Sequence, residues 1–207
     1  VEEHRKSILV KNHEMEIAIN TRTGLIDSYK IGGKELLGKN AFRPLVIEDN
    51  DDPWGMTVRE FRKKKGTFRL MSAKESAHFA GVSAKSLRPV RVIENGEVRT
   101  IIEASFLYEN SALLFTYKLP KQGTEFEVGV RVLWAEKDTM LKLSIPFTDE
   151  QAVLWGQVAY GRQELGADGE EKVAQKWCAL ASEKDDTALT VINDGTYGLD
   201  CRKGELR

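Results

Sequence analysis

Apolar and polar residues alternate along most of this chain. In residues 13–20, Met15, Ile17 and Ile19 fall on one side and Glu14, Glu16 and Asn20 on the other. In residues 124–134, Phe126, Val128, Val130, Val132 and Trp134 oppose Glu125, Glu127 and Arg131. In residues 140–146, Leu141, Leu143 and Ile145 oppose Lys142 and Ser144. Residues 98–108 and 112–119 alternate in the same way, with Phe106, Tyr108, Leu113, Phe115 and Tyr117 on the expected core side. A period of two is the mark of a strand with one face buried.

Turn residues punctuate these runs. Thr21-Arg22-Thr23-Gly24 follows the first clear strand, and Glu109-Asn110-Ser111, Lys121-Gln122-Gly123 and Ala135-Glu136-Lys137-Asp138 mark later breaks. Glu94-Asn95-Gly96-Glu97 predicts a hairpin, because Asn-Gly tolerates the positive φ angles of a type I′ turn. Helical signal is thin: residues 170–180 offer only Val173, Trp177 and Leu180 as the stripe of a short helix. Lys63-Lys64-Lys65 reads as a solvated turn. There is no internal repeat and no linker rich in Pro or Ser. Strands recurring every 8–12 residues or so predict an all-β fold. We expect one large antiparallel β-sandwich with little helix, bigger than an immunoglobulin-like sandwich and spanning residues 1–207 as a single domain.

Composition narrows the partners. With 207 residues, 41% hydrophobic and 30% charged, the chain can bury a sizeable core. Its formal net charge of −1 creates no global field for nucleic acid or an anionic membrane, and neither is expected as a partner. No apolar run approaches the roughly 20 residues that span a bilayer. Cys178 and Cys201 read as reduced thiols, with a disulfide as the alternative. Neither is at metal-ligand spacing from His4, His13 or His78. The sparse cysteines and the start Val1-Glu2-Glu3-His4, which lacks a leader-like apolar segment, fit a cytoplasmic location. Both ends read as cut from a longer polypeptide.

The sequence contains no His-Glu-x-x-His, no paired-Cys motif, no glycine-rich phosphate loop and no Gly-x-Ser-x-Gly. Glycoside hydrolysis needs two carboxyls facing each other across a sugar, and abundance of Asp and Glu does not supply that. Two stretches carry candidate chemistry. One is Gly156-Gln157-Val158-Ala159-Tyr160-Gly161-Arg162-Gln163; the other is Asn193-Asp194-Gly195-Thr196-Tyr197-Gly198-Leu199-Asp200, directly after the apolar run 188–192. Asn, Asp and Gly at a strand end suit a tight structural turn. Tyr and Asp also suit a sugar, the ring covering a hexose face and the carboxylate accepting hydroxyl hydrogen bonds. Residue types alone leave both readings open.

Asn193-Asp194-Gly195-Thr196-Tyr197-Gly198-Leu199-Asp200, running into Gly204-Glu205-Leu206-Arg207, resembles the ND-x-x-YG-x-D…LR segment of family 38 α-mannosidases. Gln175-Lys176-Trp177-Cys178-Ala179-Leu180 resembles that family's QKW strand, and Gln157-Val158-Ala159-Tyr160-Gly161-Arg162 the segment before it. Trp134-Ala135-Glu136-Lys137-Asp138 with Leu141-Lys142-Leu143 resembles a W-x-E-K…LK pair, and Leu9-Val10-Lys11-Asn12 through Thr23-Gly24-Leu25-Ile26 the domain's opening. The matches occur in family order over most of the chain.

The resemblance implies a galactose-mutarotase-like β-supersandwich lying C-terminal to a catalytic domain, and a parent enzyme that hydrolyses terminal α-mannosides with retention. It implies a zinc ion, with its ligands and a zinc-bound Asp nucleophile, in that upstream domain, and no cofactor or catalytic residue here. The partners it implies are the upstream catalytic and helical domains of the same chain and mannose-containing glycans. The sugar-binding candidates are Asn193, Asp194, Tyr197, Asp200 and Arg162. One departure is Asp52-Pro53-Trp54-Gly55-Met56, where Gly55 replaces a second acid of a family element. Three other functions compete: an autonomous carbohydrate-binding module, a mutarotase-like or lyase enzyme, and a purely structural or oligomerisation sandwich. Trp134 reads as core; Trp54, Trp155 and Trp177 are open candidates for a sugar platform.

Overall fold

The computed structural model describes residues 1–50, 54 and 57–207. The departure noted at residues 52–56 thus lies outside the described residues, save for Trp54, which is exposed. Strand accounts for 53% of the chain and helix for 3%, and every strand pair is antiparallel. The all-β sandwich expected from period-two patterning is what the chain forms.

Four larger sheets carry it. The first is a meander of Glu2–Glu3, Ser7–Lys11, Met15–Asn20, Ile26–Ile31 and Lys34–Glu35. The second orders Glu127–Leu133, Ser111–Pro120, Arg99–Tyr108 and Arg69–Leu70, with Val90–Asn95 also on Arg99–Tyr108. The third orders Cys201–Arg202, Glu205–Leu206, Thr139–Pro146, Arg43–Glu48 and Lys64–Thr67. The fourth orders Gly161–Glu164, Val153–Val158, Trp177–Ser182 and Thr187–Ile192. Lys172–Val173 pairs with Gly198–Leu199 as a small ribbon beside them.

One apolar cluster joins all four sheets, from Ile17 and Ile19 through Phe106, Phe115 and Tyr117 to Val46, Ile145, Leu154 and Leu180. Two tyrosines bridge layers with their polar ends. Buried Tyr117 donates its hydroxyl to the Gly24 carbonyl at 2.7 Å, and Tyr29 donates to Thr124 at 2.8 Å. A buried phenol needs such a partner. Gly24 sits at φ +74°, and a Cβ there would lie 2.7 Å from Leu70 Cδ1, so the Thr21-Arg22-Thr23-Gly24 turn requires glycine.

Several local expectations change. The Asn95-Gly96 hairpin forms, but neither residue has positive φ. The loop is longer than type I′, with Gly96 N–H donating to the Arg99 carbonyl and Asn95 Oδ1 accepting from Thr100 and Lys121. Residues 170–180 are not helical; they supply Lys172–Val173 and the start of Trp177–Ser182. The α-helix is Ala73–Phe79, begun by a capping box in which Ser72 and Glu75 satisfy each other's backbone N–H groups. Lys64 and Lys65 are solvated as expected but lie in an edge strand.

Val130 and Val132 do not enter the core. Their strand is the outer one of its sheet and leaves them 36% and 41% exposed. Alternation reports which residues share a face, not whether anything covers it. Trp134 does pack inward, 6.2 Å from Phe68 between ring centres.

Candidate functional site

The two candidate stretches meet at one end of the fourth sheet. Val153–Val158 and Gly161–Glu164 form a hairpin in which Gln157 faces Arg162. Next along the same sheet end, Gln157 accepts from the backbone N–H of Gln175 through its carbonyl and of Lys176 through Oε1, each at 2.9 Å. Asn193 then donates its backbone N–H to the Lys176 carbonyl at 2.9 Å and its side-chain Nδ2 to the Gln175 carbonyl at 3.0 Å. Arg162, Gln157 and Asn193 are therefore linked by a continuous hydrogen-bond ladder, although they are far apart in sequence.

The 193–197 loop is built on Asn193. Its Oδ1 accepts from Gly195 N–H at 3.0 Å, closing an Asx turn. Gly195 takes φ +124°, and the Tyr197 carbonyl accepts from Ala174 N–H. With both ends of its side chain occupied, Asn193 shapes the loop. Asp194 is exposed and Tyr197 is half exposed. Among the described residues, neither the Asp194 carboxylate nor the Tyr197 hydroxyl has a hydrogen-bond partner. Both are free to meet a ligand. Arg162 lies with its guanidinium carbon 4.8 Å from the centre of the Trp155 ring, a cation–π contact that leaves its N–H groups available.

Asp200 stands apart from this set. Its side chain has no exposed surface. One carboxylate oxygen accepts from Arg62 Nη1 and the other from Lys142 Nζ. A sugar hydroxyl has no route to it here, so the hydroxyl-binding role expected of Asp200 gives way to charge pairing inside the protein.

Around it lies a connected ion cluster. Lys142 also pairs with Glu171, and Arg62 also reaches Glu205 at 3.3 Å. Glu205 further accepts from Ser144 Oγ and from Arg207 Nη2. Burial pushes the Glu205 carboxyl up, but the hydrogen bonds from Ser144 and Arg207 and the nearby guanidiniums outweigh it and hold it below the usual carboxylate range. The pattern of 140–146 anticipated Lys142 and Ser144 as outward-facing. They are instead more enclosed than Leu141 and Leu143 on the apolar side of the same strand. Both faces of this strand are covered, one by the apolar core and one by the charged segments.

Nothing in the sequence marked Lys142, Arg62, Glu171 or Glu205 as a set. The resembled segments Leu141-Lys142-Leu143 and Asp200…Glu205-Leu206-Arg207 pointed to parts of this place without linking them. Cys178 and Cys201 are buried free thiols. Burial, with some help from the neighbouring charges, pushes each up to about 11, so both stay protonated and unreactive at neutral pH.

No three His, Cys, Asp or Glu side chains among the described residues converge to hold a metal ion. No helix among the described residues is long and apolar enough to cross a membrane. Two surface hollows, of about 200 and 190 Å³, are lined by Lys11, Asn12 and Lys30 and by Glu48, Val58 and Lys63. Both are smaller than the roughly 300 Å³ at which ligand pockets begin, and neither involves the 193–197 loop.

The structure thus defines an all-β sandwich with an exposed polar loop at a sheet end and a buried ion cluster behind it. Residues 10–207 match the family model for the glycosyl hydrolases family 38 C-terminal domain. The chain belongs to that family and is part of a glycoside hydrolase. A comparison with curated proteins finds no match.

Proposed function

We propose that this chain is the C-terminal β-sandwich of a zinc-dependent, retaining α-mannosidase acting on terminal α-mannosides, and that its 193–197 loop forms part of the rim of the sugar pocket. The family match supports the enzyme class. The observation that carries the loop's role is Asp194: an exposed carboxylate without a partner among the described residues, held on an Asx turn in the loop that also carries Tyr197. A preorganised acceptor of this kind gains more from a ligand hydroxyl than a mobile one.

Bond cleavage belongs to another domain of the parent polypeptide, which holds the zinc ion and the nucleophilic Asp. This chain supplies position. The Gln157–Lys176–Asn193 ladder fixes the loop relative to the sheet, and Arg162, on the same sheet end, is placed to orient a sugar oxygen or a carboxylate.

The full-length enzyme tests both parts. Among nitrophenyl glycosides it is expected to prefer the α-mannoside and to lose activity to a chelator; preference for another sugar, or activity surviving chelation, contradicts the assignment. Asp194→Ala is expected to lower kcat/KM for the α-mannoside about 10- to 100-fold, the loss of one hydrogen bond to a charged group. An Asp194→Ala enzyme with unchanged kcat/KM removes the loop from the pocket.

A further inference from the structure

Across the third sheet, four residues stand in one row. Arg43 faces Ser144. The register Ile145↔Leu206, carried one step further, sets Ser144 beside Arg207, and Arg207 exchanges both backbone hydrogen bonds with Asp200. Residues opposite each other in antiparallel strands point to the same face. Arg43, Ser144, Arg207 and Asp200 therefore share the face that carries the ion cluster.

The anions of that cluster are already committed. Asp200 is taken by Arg62 and Lys142, Glu171 by Lys142, and Glu205 by Ser144, Arg62 and Arg207. Four cations, Arg43, Arg62, Lys142 and Arg207, face three carboxylates. Arg43 is left over: it has no ion pair or side-chain hydrogen bond among the described residues.

The accounting of buried donors points to the same place. Three buried side-chain polar atoms lack a partner among the described residues, and two of them are Arg43 Nε and Arg207 Nε. Buried donors are almost always satisfied in native proteins, and those left over call for an acceptor. On either side of a small serine, Arg43 presents an uncommitted guanidinium fork and Arg207 an unpaired Nε beside the Nη2 that holds Glu205, donors of the kind that suit an oxyanion.

We propose that Arg43 and Arg207 form an oxyanion-binding site that takes one further carboxylate or phosphate-like group. The site completes the charge balance of the cluster. Its ligand is either a carboxylate side chain from another segment of the parent polypeptide or a small diffusible anion, and both would use the same donors. Arg43 and Arg207 are partly exposed as residues while their unpaired Nε atoms are buried, so an anion would reach the Nε atoms only by displacing neighbouring side chains or arriving as part of a packed segment.

The test uses the full-length protein, crystallised without phosphate or sulfate and then soaked in inorganic phosphate. A carboxylate on the Arg43 guanidinium before soaking supports the site with an internal ligand. A phosphate there only after soaking supports it with a diffusible one, provided that phosphate at constant ionic strength also raises the thermal midpoint by several degrees and that Arg43→Gln abolishes the rise while Arg43→Lys keeps part of it. A phosphate seen in the crystal without any such rise is an adventitious ion only and overturns the proposal. Guanidiniums that meet only water or backbone carbonyls in both crystals overturn it as well.

Discussion

The motif running from Asn193 to Arg207 divides into two halves that behave oppositely. Residues 194–197 are exposed, and Asp194 carries a carboxylate with no partner among the described residues. In residues 200–207 they face inward, and Asp200 and Glu205 are tied to Lys142, Arg62 and Arg207. Only two residues, Gly198 and Leu199, separate Asp194's loop from Asp200. The short ribbon of Lys172–Val173 with Gly198–Leu199 makes the change, carrying the chain from the end of one sheet to the covered face of another. Two aspartates of similar appearance in sequence therefore have different work. One is available to a ligand; the other neutralises buried cations and fixes the segment that carries the first.

The comparison can be broken most forcefully inside the cluster. Lys142→Ala removes the cation held between Asp200 and Glu171 and leaves the buried Asp200 carboxylate with Arg62 alone. Removing one partner of a buried pair costs about 3–5 kcal/mol, read by urea unfolding of the full-length protein. A loss below about 1 kcal/mol would mean that the cluster behaves like an exposed ion pair.

Glycine replacements sharpen the contrast at a smaller scale. Gly204 takes φ +70°, and a Cβ there would fall 2.4 Å from the Asp149 carbonyl oxygen, so Gly204→Ala combines backbone strain with a collision against main chain. Gly195 takes φ +124° but has nothing within 4 Å of the added atom. Strain of this kind costs about 1–3 kcal/mol. Gly204→Ala is expected at or above the top of that range and Gly195→Ala near the bottom; equal losses would contradict the packing difference.

Acid discriminates next. The Glu205 carboxyl is held below its ordinary 4.5 in the folded protein. It binds a proton less readily folded than unfolded, so its contribution to stability is present above about 4.5 and is lost as pH falls through the lower folded value. A Glu205→Gln variant is expected to be less stable than the parent at pH 7, with the gap narrowing progressively as pH falls below about 4.5, by the same urea measurement. A gap that persists unchanged would remove charge as the reason.

The smallest stability effect belongs to the exposed half. Asp194→Ala is expected to stay within about 0.5 kcal/mol of the parent, as for surface changes away from packed features.

Much of this fold was legible in the alternation of its residues. Met15, Ile17 and Ile19 are buried as their spacing predicts, as are Phe106, Leu113, Phe115 and Tyr117. Alternation failed where coverage, not facing, decides burial. Val130 and Val132 share a face with the core but lie on an outer strand, and Lys142 and Ser144 share an opposite face that other charged segments close over. The helix Ala73–Phe79 did leave a trace, the Ser72-x-x-Glu75 capping box, too short to show in periodicity. In the candidate site, residue types singled out the 156–163 and 193–200 stretches, and the sheet brings them together. The partners of Asp200, Arg62 and Lys142, were not legible, and neither was Glu171, which shares Lys142 with it, because these residues come from distant strands and loops and follow no common spacing.

The division of the motif is tested most directly by thermal unfolding of Asp200→Ala beside Asp194→Ala in the full-length protein. The account predicts a midpoint lowered by about 10 °C for Asp200→Ala, as expected from a loss of several kcal/mol in a domain of this size, and a midpoint unchanged for Asp194→Ala. Equal midpoints for the two variants, or a larger drop for Asp194→Ala, would contradict it.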